Sequence, residues 1–148
     1  MRIADVLDRS GIKAVTVGPE VSLAKAAQLL HGNDTAAIIV DDGRFRGTLT
    51  AGDILRILTL AASPAQVWQS PIANALCEKV AAVTPEERVG RAIERMTAAG
   101  VNHLPVTTAS GTVVVSLCQL LQVANTQLHD ELHHLQTYID ALHDAPND

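Results

Sequence analysis

The chain contains one pattern twice. When the 148-residue sequence is aligned with itself at an offset of 66 residues, positions 15–58 match positions 81–124 without a gap. Val17-Gly18-Pro19-Glu20, for example, aligns with Val83-Thr84-Pro85-Glu86. An internal repeat of this length predicts two copies of one structural unit, placed one after the other along the chain.

Each copy shows the apolar spacing of a helix that packs on a core with one face. Four apolar residues at i, i+3, i+4 and i+7 predict this helix: Leu23, Ala26, Ala27 and Leu30 in the first copy, and Val89, Ala92, Ile93 and Met96 in the second. Short apolar runs predict strands at 15–17, 36–40 and 45–49, with their counterparts in the second copy, and Asp41-Asp42-Gly43 predicts a turn between two of them. Each copy is therefore predicted to run strand, helix, strand, strand, helix.

Local signals predict where some of these helices begin. Thr84-Pro85-Glu86-Glu87 has the pattern of a capping box with Pro at the first helical position, so we expect the first helix of the second copy to start there. A copy of about 60 residues buries too little surface to be stable alone, so we expect the two copies to pack on each other about a pseudo-two-fold axis. The expected fold is α/β (α+β), with a first repeat at 1–62, a second at 63–124 and a C-terminal amphipathic helix with a short tail at 125–148.

Composition excludes several classes of function. The formal net charge is −5, which disfavours nucleic acid as a partner, and aromatic residues make up only 2% of the chain, so repeated stacking platforms are missing. Cys77 and Cys118 match no zinc spacing, which fits a reducing cytoplasm. Neither a signal peptide nor a membrane-spanning segment is predicted. We expect a cytoplasmic protein that binds neither membrane nor nucleic acid.

The repeated segments resemble the CBS domain, named after cystathionine β-synthase, which occurs as a tandem pair called the Bateman module. The first copy, VTVGPEVSLAKAAQLLHGNDTAAIIVDDGRFRGTLTAGDIL, is similar to the family pattern throughout, and the second carries its HLPV signature at 103–106. The segments 3–7 and 72–76 look like the short lead-in that the family places before each domain. The chain is most similar to the small stand-alone bacterial type, with a helix after the second domain.

This resemblance implies an adenosine-containing ligand in the cleft between the repeats: AMP, ADP, ATP, S-adenosylmethionine or NAD(H). The family's ribose-binding pattern is matched from Gly47 to Asp53, which makes Thr50 and Asp53 the nucleotide-binding candidates. The same Thr-x-x-Asp spacing is also an ordinary helix cap. The resemblance further implies an adenine-binding wall whose residues could equally be plain core: Thr16, Val17, Ala36, Ala37 and Ile38.

The second copy departs from the ribose-binding pattern. Val113 stands where the family has Gly, and Gln119 stands where it has Asp, so a second nucleotide site at His103, Ser116 and Gln119 is expected to be weaker. His103 can also be a hydrogen-bonded structural histidine. The cations available for a phosphate are His103, Arg44, Arg56 and Lys79, and the Arg that the family often has before the Asp is Gly52 here.

Leucines recur every seven residues after the second copy. The 4-3-4-3 spacing predicts a helix that packs on a partner helix, with a dimer seam formed by Leu121, Leu128, Leu132, Leu135, Ile139 and Leu142. An amphipathic helix docked on its own chain would show the same stripe. His129 and His133 have the i, i+4 spacing of a metal pair, but we interpret them as part of a solvated face and predict no metal site.

The sequence carries no catalytic motif above chance: no nucleophile with a base, no Walker loop and no dinucleotide fingerprint. We therefore expect a non-enzymatic regulatory module, a homodimer that binds an adenosine nucleotide as its regulatory ligand and signals to an unidentified regulated protein by conformational change. The alternative is a degenerate pair without a ligand, acting as a dimeric scaffold for interactions.

Overall fold

The two repeats follow the same path at the predicted offset. The structure is a computed structural model that describes residues 1–9, 15–33, 35, 37–77 and 81–145. In the first repeat the elements are β1 (Thr16–Val17), α2 (Leu23–Gly32), β2 (Ile38–Asp41), β3 (Phe45–Leu49) and α3 (Ala51–Leu60), preceded by α1 (Ile3–Arg9). In the second they are α5 (Val89–Ala99), β4 (His103–Thr108), β5 (Gly111–Ser116) and α6 (Leu117–His143). Both helices of the second repeat begin 66 residues after their counterparts, which confirms the duplication.

Each repeat contains a small sheet. In the first, β1 pairs with β2 in parallel and β2 pairs with β3 antiparallel, so that Ile39 lies opposite both Thr16 and Thr48. In the second, β4 and β5 form an antiparallel ladder that begins with His103 opposite Ser116. The counterpart of β1 is a single parallel bridge between Val83 and Val106. The predicted order of elements is therefore confirmed, except that this last position is a bridge and not a full strand.

The predicted start of the helix in the second repeat is wrong. Residues 84–87 form a turn in which the amide of Glu87 donates to the carbonyl of Thr84 over 3.1 Å, and α5 begins only at Val89. The reason is a tertiary contact: the carbonyl groups of Pro85 and Glu87 accept hydrogen bonds from the amides of Ala4 and Ile3, both over 2.9 Å. These bonds hold the turn against the start of α1, where a helix would need the same carbonyl groups.

The two hydrophobic cores exchange their lead-in segments. Ile3 and Val6 of α1 are fully buried in the core of the second repeat, although they precede the first repeat in the chain. Ile72, in a short 3₁₀ helix at Ile72–Asn74, is buried in the core of the first repeat. Removing this apolar surface from water stabilises both cores. Neither core is complete without a segment from the other half, so the repeats are coupled through their interiors.

Two further helices complete the described chain. One is α4 (Pro64–Trp68), which the sequence patterns did not indicate; it connects the repeats and has Pro in its first turn. α6 contains 27 residues and runs without a break from the core of the second repeat, where Leu120 is fully buried, to His143. No helix in the described part of the chain has the length and apolarity needed to cross a bilayer.

Candidate functional site

The N-terminus of α3 is closed by a capping box. The side-chain oxygen of Thr50 accepts a hydrogen bond from the amide of Asp53 over 3.2 Å. In return, Oδ2 of Asp53 accepts from the amide of Thr50 over 2.9 Å and from its hydroxyl over 2.8 Å. This confirms the capping function predicted for the pair. It also holds the Asp53 carboxylate at one position, with Oδ1 left outside the cap.

This carboxylate lies on the wall of a cavity of about 480 Å³ between the two repeats. The first repeat contributes the first turns of α3, and the second contributes the segment that leads from α5 into β4. The described lining residues are Thr50, Ala51, Gly52, Asp53, Arg56, Cys77, Gly100, Val101, Asn102 and His103. A cavity of this volume has the size of a small-molecule pocket.

Charge at the cavity is concentrated in one ion pair. Nη2 of Arg56 lies 3.5 Å from Oδ1 of Asp53, and the Arg56 side chain is 56% exposed while that of Asp53 is 14% exposed. Because the guanidinium is largely in water, this pair contributes little to stability. Arg56 can turn toward a bound anion, and Oδ1 of Asp53 can accept hydrogen bonds from the hydroxyl groups of a ligand.

A buried hydrogen bond joins the two repeats beside this cavity. Oγ1 of Thr48 and Nε2 of His103 are 2.6 Å apart, and both residues are buried. Burial lowers the pKa of His103 below its ordinary value, and the negative charge of Asp53 opposes this shift only in part. The imidazole is therefore neutral at neutral pH. The buried hydrogen bond agrees with the structural interpretation of His103.

The backbone of Gly47, the residue before Thr48, is packed closely against the linker between the repeats. Gly47 has a φ of +155°, and a Cβ at this position would come within 3.3 Å of the Cβ of Leu76. The next residue, Thr48, accepts a hydrogen bond at its carbonyl from the amide of Cys77 over 2.8 Å. The glycine of the ribose-binding pattern thus allows the strand to meet the linker that carries Cys77 into the cavity wall.

The residues predicted to form an adenine-binding wall do not line this cavity. Thr16 is exposed and Val17 is half-buried at the edge strand, whereas Ile38 is fully buried in the first core and Ala37 is buried beside it. Ala36 lies outside the described residues. The structure therefore brings Thr50 and Asp53 together with His103, and places the described members of the predicted wall elsewhere.

Ser116 and Gln119 form the equivalent cap at the start of α6. The amide of Ser116 donates to Oε1 of Gln119 over 2.8 Å, and Oγ of Ser116 accepts from the amide of Gln119 over 3.1 Å. His103 pairs with Ser116 in the β4–β5 ladder, but its side chain faces Thr48 and the cavity that contains Asp53. The three residues grouped as a second site are thus divided between two places.

Several residues in or beside the cavity wall could not be identified from the sequence. Thr48 is a polar residue in an otherwise apolar buried stretch, which was a usable signal, but its partner is 55 positions away. The segment from Gly100 to Asn102 carries no pattern that indicates a site. Of the predicted phosphate partners, Arg56 lines the cavity, Arg44 is exposed in the turn before β3, and Lys79 lies outside the described residues.

Metal ligands do not converge in the part of the chain that the structure describes. No group of three or more His, Cys, Asp or Glu side chains is arranged there to hold a metal ion. His129 and His133 are exposed on α6.

Comparison with solved structures shows which proteins share this fold. A CBS-domain containing protein from Agrobacterium tumefaciens is 27% identical, with a TM-score of 0.74 over 84% of this chain and 99% of that one. The CBS domain structure NE2398 is 23% identical, with a TM-score of 0.73 over 84% and 97% of the two chains. The CBS domain pair of protein MJ0100, solved in complex with 5′-methylthioadenosine and S-adenosyl-L-methionine, is 17% identical, with a TM-score of 0.70 over 86% and 98%. At these identities the last two show a shared fold.

Comparison at the level of sequence gives the family. No protein of curated function matches the chain. The family model of the CBS domain matches residues 3–60 and 73–115, one stretch for each repeat and together more than half of the chain. The offset repeats, the exchanged lead-in segments and the neighbouring structures agree with this match. The chain therefore belongs to the CBS domain family and carries a tandem pair of these domains.

Proposed function

We propose that the cavity between the repeats binds an adenosine-containing nucleotide and that the protein is a non-enzymatic regulatory module. The observation that carries this proposal is the position of the Asp53 carboxylate. The capping box holds Oδ2, and Oδ1 remains at the wall of the cavity beside the exposed Arg56 side chain. A fixed carboxylate is a suitable acceptor for the two vicinal hydroxyl groups of a ribose.

The solved structures support the class of ligand. The CBS domain pair of MJ0100, which shares the fold, was crystallised with 5′-methylthioadenosine and S-adenosyl-L-methionine, both adenosine compounds. Many regulatory CBS pairs respond to ligands of this class, as the resemblance in sequence implies. The ligands to consider are AMP, ADP, ATP, S-adenosylmethionine and NAD(H).

The charge of the cavity favours a ligand with few phosphate groups. Arg56 is the one cationic side chain among the described lining residues, because His103 is neutral. The free amides at the start of α3 can bind one further phosphate oxygen. A triphosphate would bring several negative charges to one arginine and to the carboxylate of Asp53, so we expect AMP or S-adenosylmethionine to bind more tightly than ATP.

Signalling follows from the fact that both repeats line the cavity. A ligand held between Asp53 of the first repeat and the 100–103 segment of the second binds best at one angle between the repeats, and it shifts the population toward that angle. In this proposal the protein is a cytoplasmic homodimer, and a regulated partner protein recognises the changed shape. No chemical step takes place.

The alternative function is that of a ligand-free scaffold. It is favoured by the second repeat, where Gln119 and Val113 replace the family's Asp and Gly, and by Gly52, which replaces a common Arg. In that case the protein would act through its exposed C-terminal helix alone.

Titration calorimetry separates the two functions. Nucleotide-stripped protein is titrated with AMP, ADP, ATP, S-adenosylmethionine and NADH, and Asp53→Ala is compared with Gln119→Ala, the matched change at the same position of the other repeat. The proposal predicts saturable micromolar binding of at least one compound, lost in Asp53→Ala and kept in Gln119→Ala. A folded protein that binds none of the five supports the scaffold.

A further inference from the structure

The second half of α6 presents an apolar stripe that its own chain does not cover. Every side chain from Leu128 to Ala145 is exposed. The six apolar residues of the stripe have exposed fractions from 45% to 63%: Leu121, Leu128, Leu132, Leu135, Ile139 and Leu142. Docking of this helix on its own chain, the alternative left open by the sequence pattern, is not what the described residues show.

A helix in this situation needs a partner. The segment from Leu128 to His143 has about four turns, and all of its side chains are exposed in the part of the chain that the structure describes. A helix of this length alone in water is only marginally stable. Packing of the apolar stripe would supply the missing stabilisation. The helix α6 is about 40 Å long for 27 residues, and we expect the exposed apolar stripe on its second half to pack against another helix.

The spacing of the stripe favours a second copy of the helix as the partner. In a heptad numbered from Cys118 as position a, every d position is leucine: Leu121, Leu128, Leu135 and Leu142. The last two a positions are Leu132 and Ile139. A β-branched residue at a, such as Ile139, with leucine at d favours two parallel strands, and a single Asn at a, here Asn125, specifies register and oligomer state. Covering the stripe on both copies removes roughly 1,000 Å² from water, which is the size at which specific interfaces begin.

Charge selects the relative direction of the two helices. In the antiparallel register that aligns the whole stripe, Glu131 of each copy lies beside Glu131 of the other, and two like charges beside the seam are unfavourable. In a parallel pair, Glu131 at position g lies across from the neutral Gln136 at position e. The parallel arrangement also places Ile139 opposite its own copy and Cys118 opposite its own copy.

We propose that two chains pair through α6 as a parallel, in-register coiled coil with Cys118 facing Cys118 at its first layer. The inference concerns the homodimer part of the proposed function and needs no nucleotide. Cys118 is exposed and Cys77 lines the cavity, and the chain has no other cysteine. The native thiol therefore reports the orientation of the helices.

Disulfide mapping tests the orientation. Leu142→Cys is made in a Cys77→Ala background, the protein is oxidised with diamide, and the linked peptides are identified by mass after digestion. A parallel pair gives links between equivalent positions, Cys118 to Cys118 and 142 to 142. An antiparallel pair gives only the link from Cys118 to position 142, because equivalent thiols are then about 36 Å apart along the helix. That pattern would overturn the proposed orientation.

Light scattering tests the seam itself. Leu132→Glu puts a charge into the seam, and His133→Glu puts the same charge one residue away on the exposed face. We expect Leu132→Glu to raise the dimer dissociation constant at least about 100-fold and His133→Glu to change it less than about threefold. A dimer that is unaffected by Leu132→Glu would overturn the proposal, since pairing would then run through the repeats, where Leu55 is also exposed. A monomeric wild type would overturn it too, and neither result bears on nucleotide binding.

Discussion

Oγ1 of Thr48 lies 2.6 Å from Nε2 of His103, and this bond connects β3 of the first repeat to the first residue of β4 in the second. Both side chains are buried, so each provides the hydrogen-bond partner that water would otherwise provide for the other. The bond lies beside the cavity that contains Asp53, so the stability of the pair and the shape of the candidate site depend on the same contact.

Removing the Thr48 hydroxyl should destabilise the protein. In Thr48→Val the shape of the side chain is kept, but the buried nitrogen of His103 loses its partner, which costs about 1–3 kcal/mol. Urea unfolding measures the change. Thr107→Val, at an exposed position of β4, serves as the control and should stay within about 0.5 kcal/mol of wild type. Equal stability of the two variants would show that the bond contributes nothing.

Stability should fall on acidification because of His103. Its pKa is lowered in the folded state by burial, against an ordinary value of about 6.5 in the unfolded chain. Below about pH 6.5 the unfolded chain binds a proton at His103, whereas the folded protein does so only below its lowered pKa. The free energy of unfolding therefore falls as the pH falls from about 6.5 toward that lowered pKa.

The measurement for this pH dependence is the free energy of unfolding between pH 7.5 and 5.5, in wild type and in His103→Gln. The glutamine can still bond to Thr48 but cannot titrate, so the variant should lose less stability over this range. Exposed histidines and carboxylates are common to both proteins. Identical pH profiles would contradict a neutral His103 in the fold.

Gly47 and Gly52 should respond in opposite ways to alanine. Gly47 has a positive φ and faces Leu76 at 3.3 Å, so Gly47→Ala should cost about 1–3 kcal/mol. Gly52 is in the first turn of α3, and a Cβ there meets only Oγ1 of Thr50 at an ordinary 3.7 Å. Gly52→Ala should therefore be neutral or stabilising by up to about 1 kcal/mol. Thermal unfolding of both variants checks the prediction, and a stable Gly47→Ala would contradict it.

The two helix caps should be similar in stability and different in function. Thr50→Ala and Ser116→Ala each remove the hydroxyl that accepts from the third helical residue, which costs about 0.5–2 kcal/mol. Of the two, only Thr50 lines the described cavity, so only Thr50→Ala should also weaken nucleotide binding. Chemical unfolding and titration of the same samples test both parts. A comparable loss of affinity in Ser116→Ala would place a ligand at the second cap as well.

Local patterns predicted the elements whose cause is local. The apolar face of 3.6-residue period predicted α2 and α5 because those residues face the cores, and the Thr50 and Ser116 caps form because the required groups are three positions apart. The start of α5 was predicted wrongly because the carbonyl groups of Pro85 and Glu87 bind the distant amides of Ala4 and Ile3. Tertiary hydrogen bonds overrode a good local signal.

The site was predicted only in part because some of its contacts join residues that are far apart in the sequence. Thr50 and Asp53 could be found because they form one short pattern. The contact between Thr48 and His103 joins residues 55 positions apart, and the exchange of Ile3 and Ile72 between cores is decided by packing that no local pattern encodes. The C-terminal stripe was visible in the sequence, and the structure adds that its own chain leaves it uncovered.

The most direct test of the central claim is the affinity of Asp53→Asn for whichever adenosine compound binds wild type most tightly. The asparagine oxygen can still accept from the amide and the hydroxyl of Thr50, so the helix cap and the fold are kept, while the negative charge at the cavity is lost. If the Asp53 carboxylate binds the ribose, titration calorimetry should show affinity at least about tenfold weaker, at unchanged thermal stability. Unchanged affinity in a folded Asp53→Asn would contradict the proposed site.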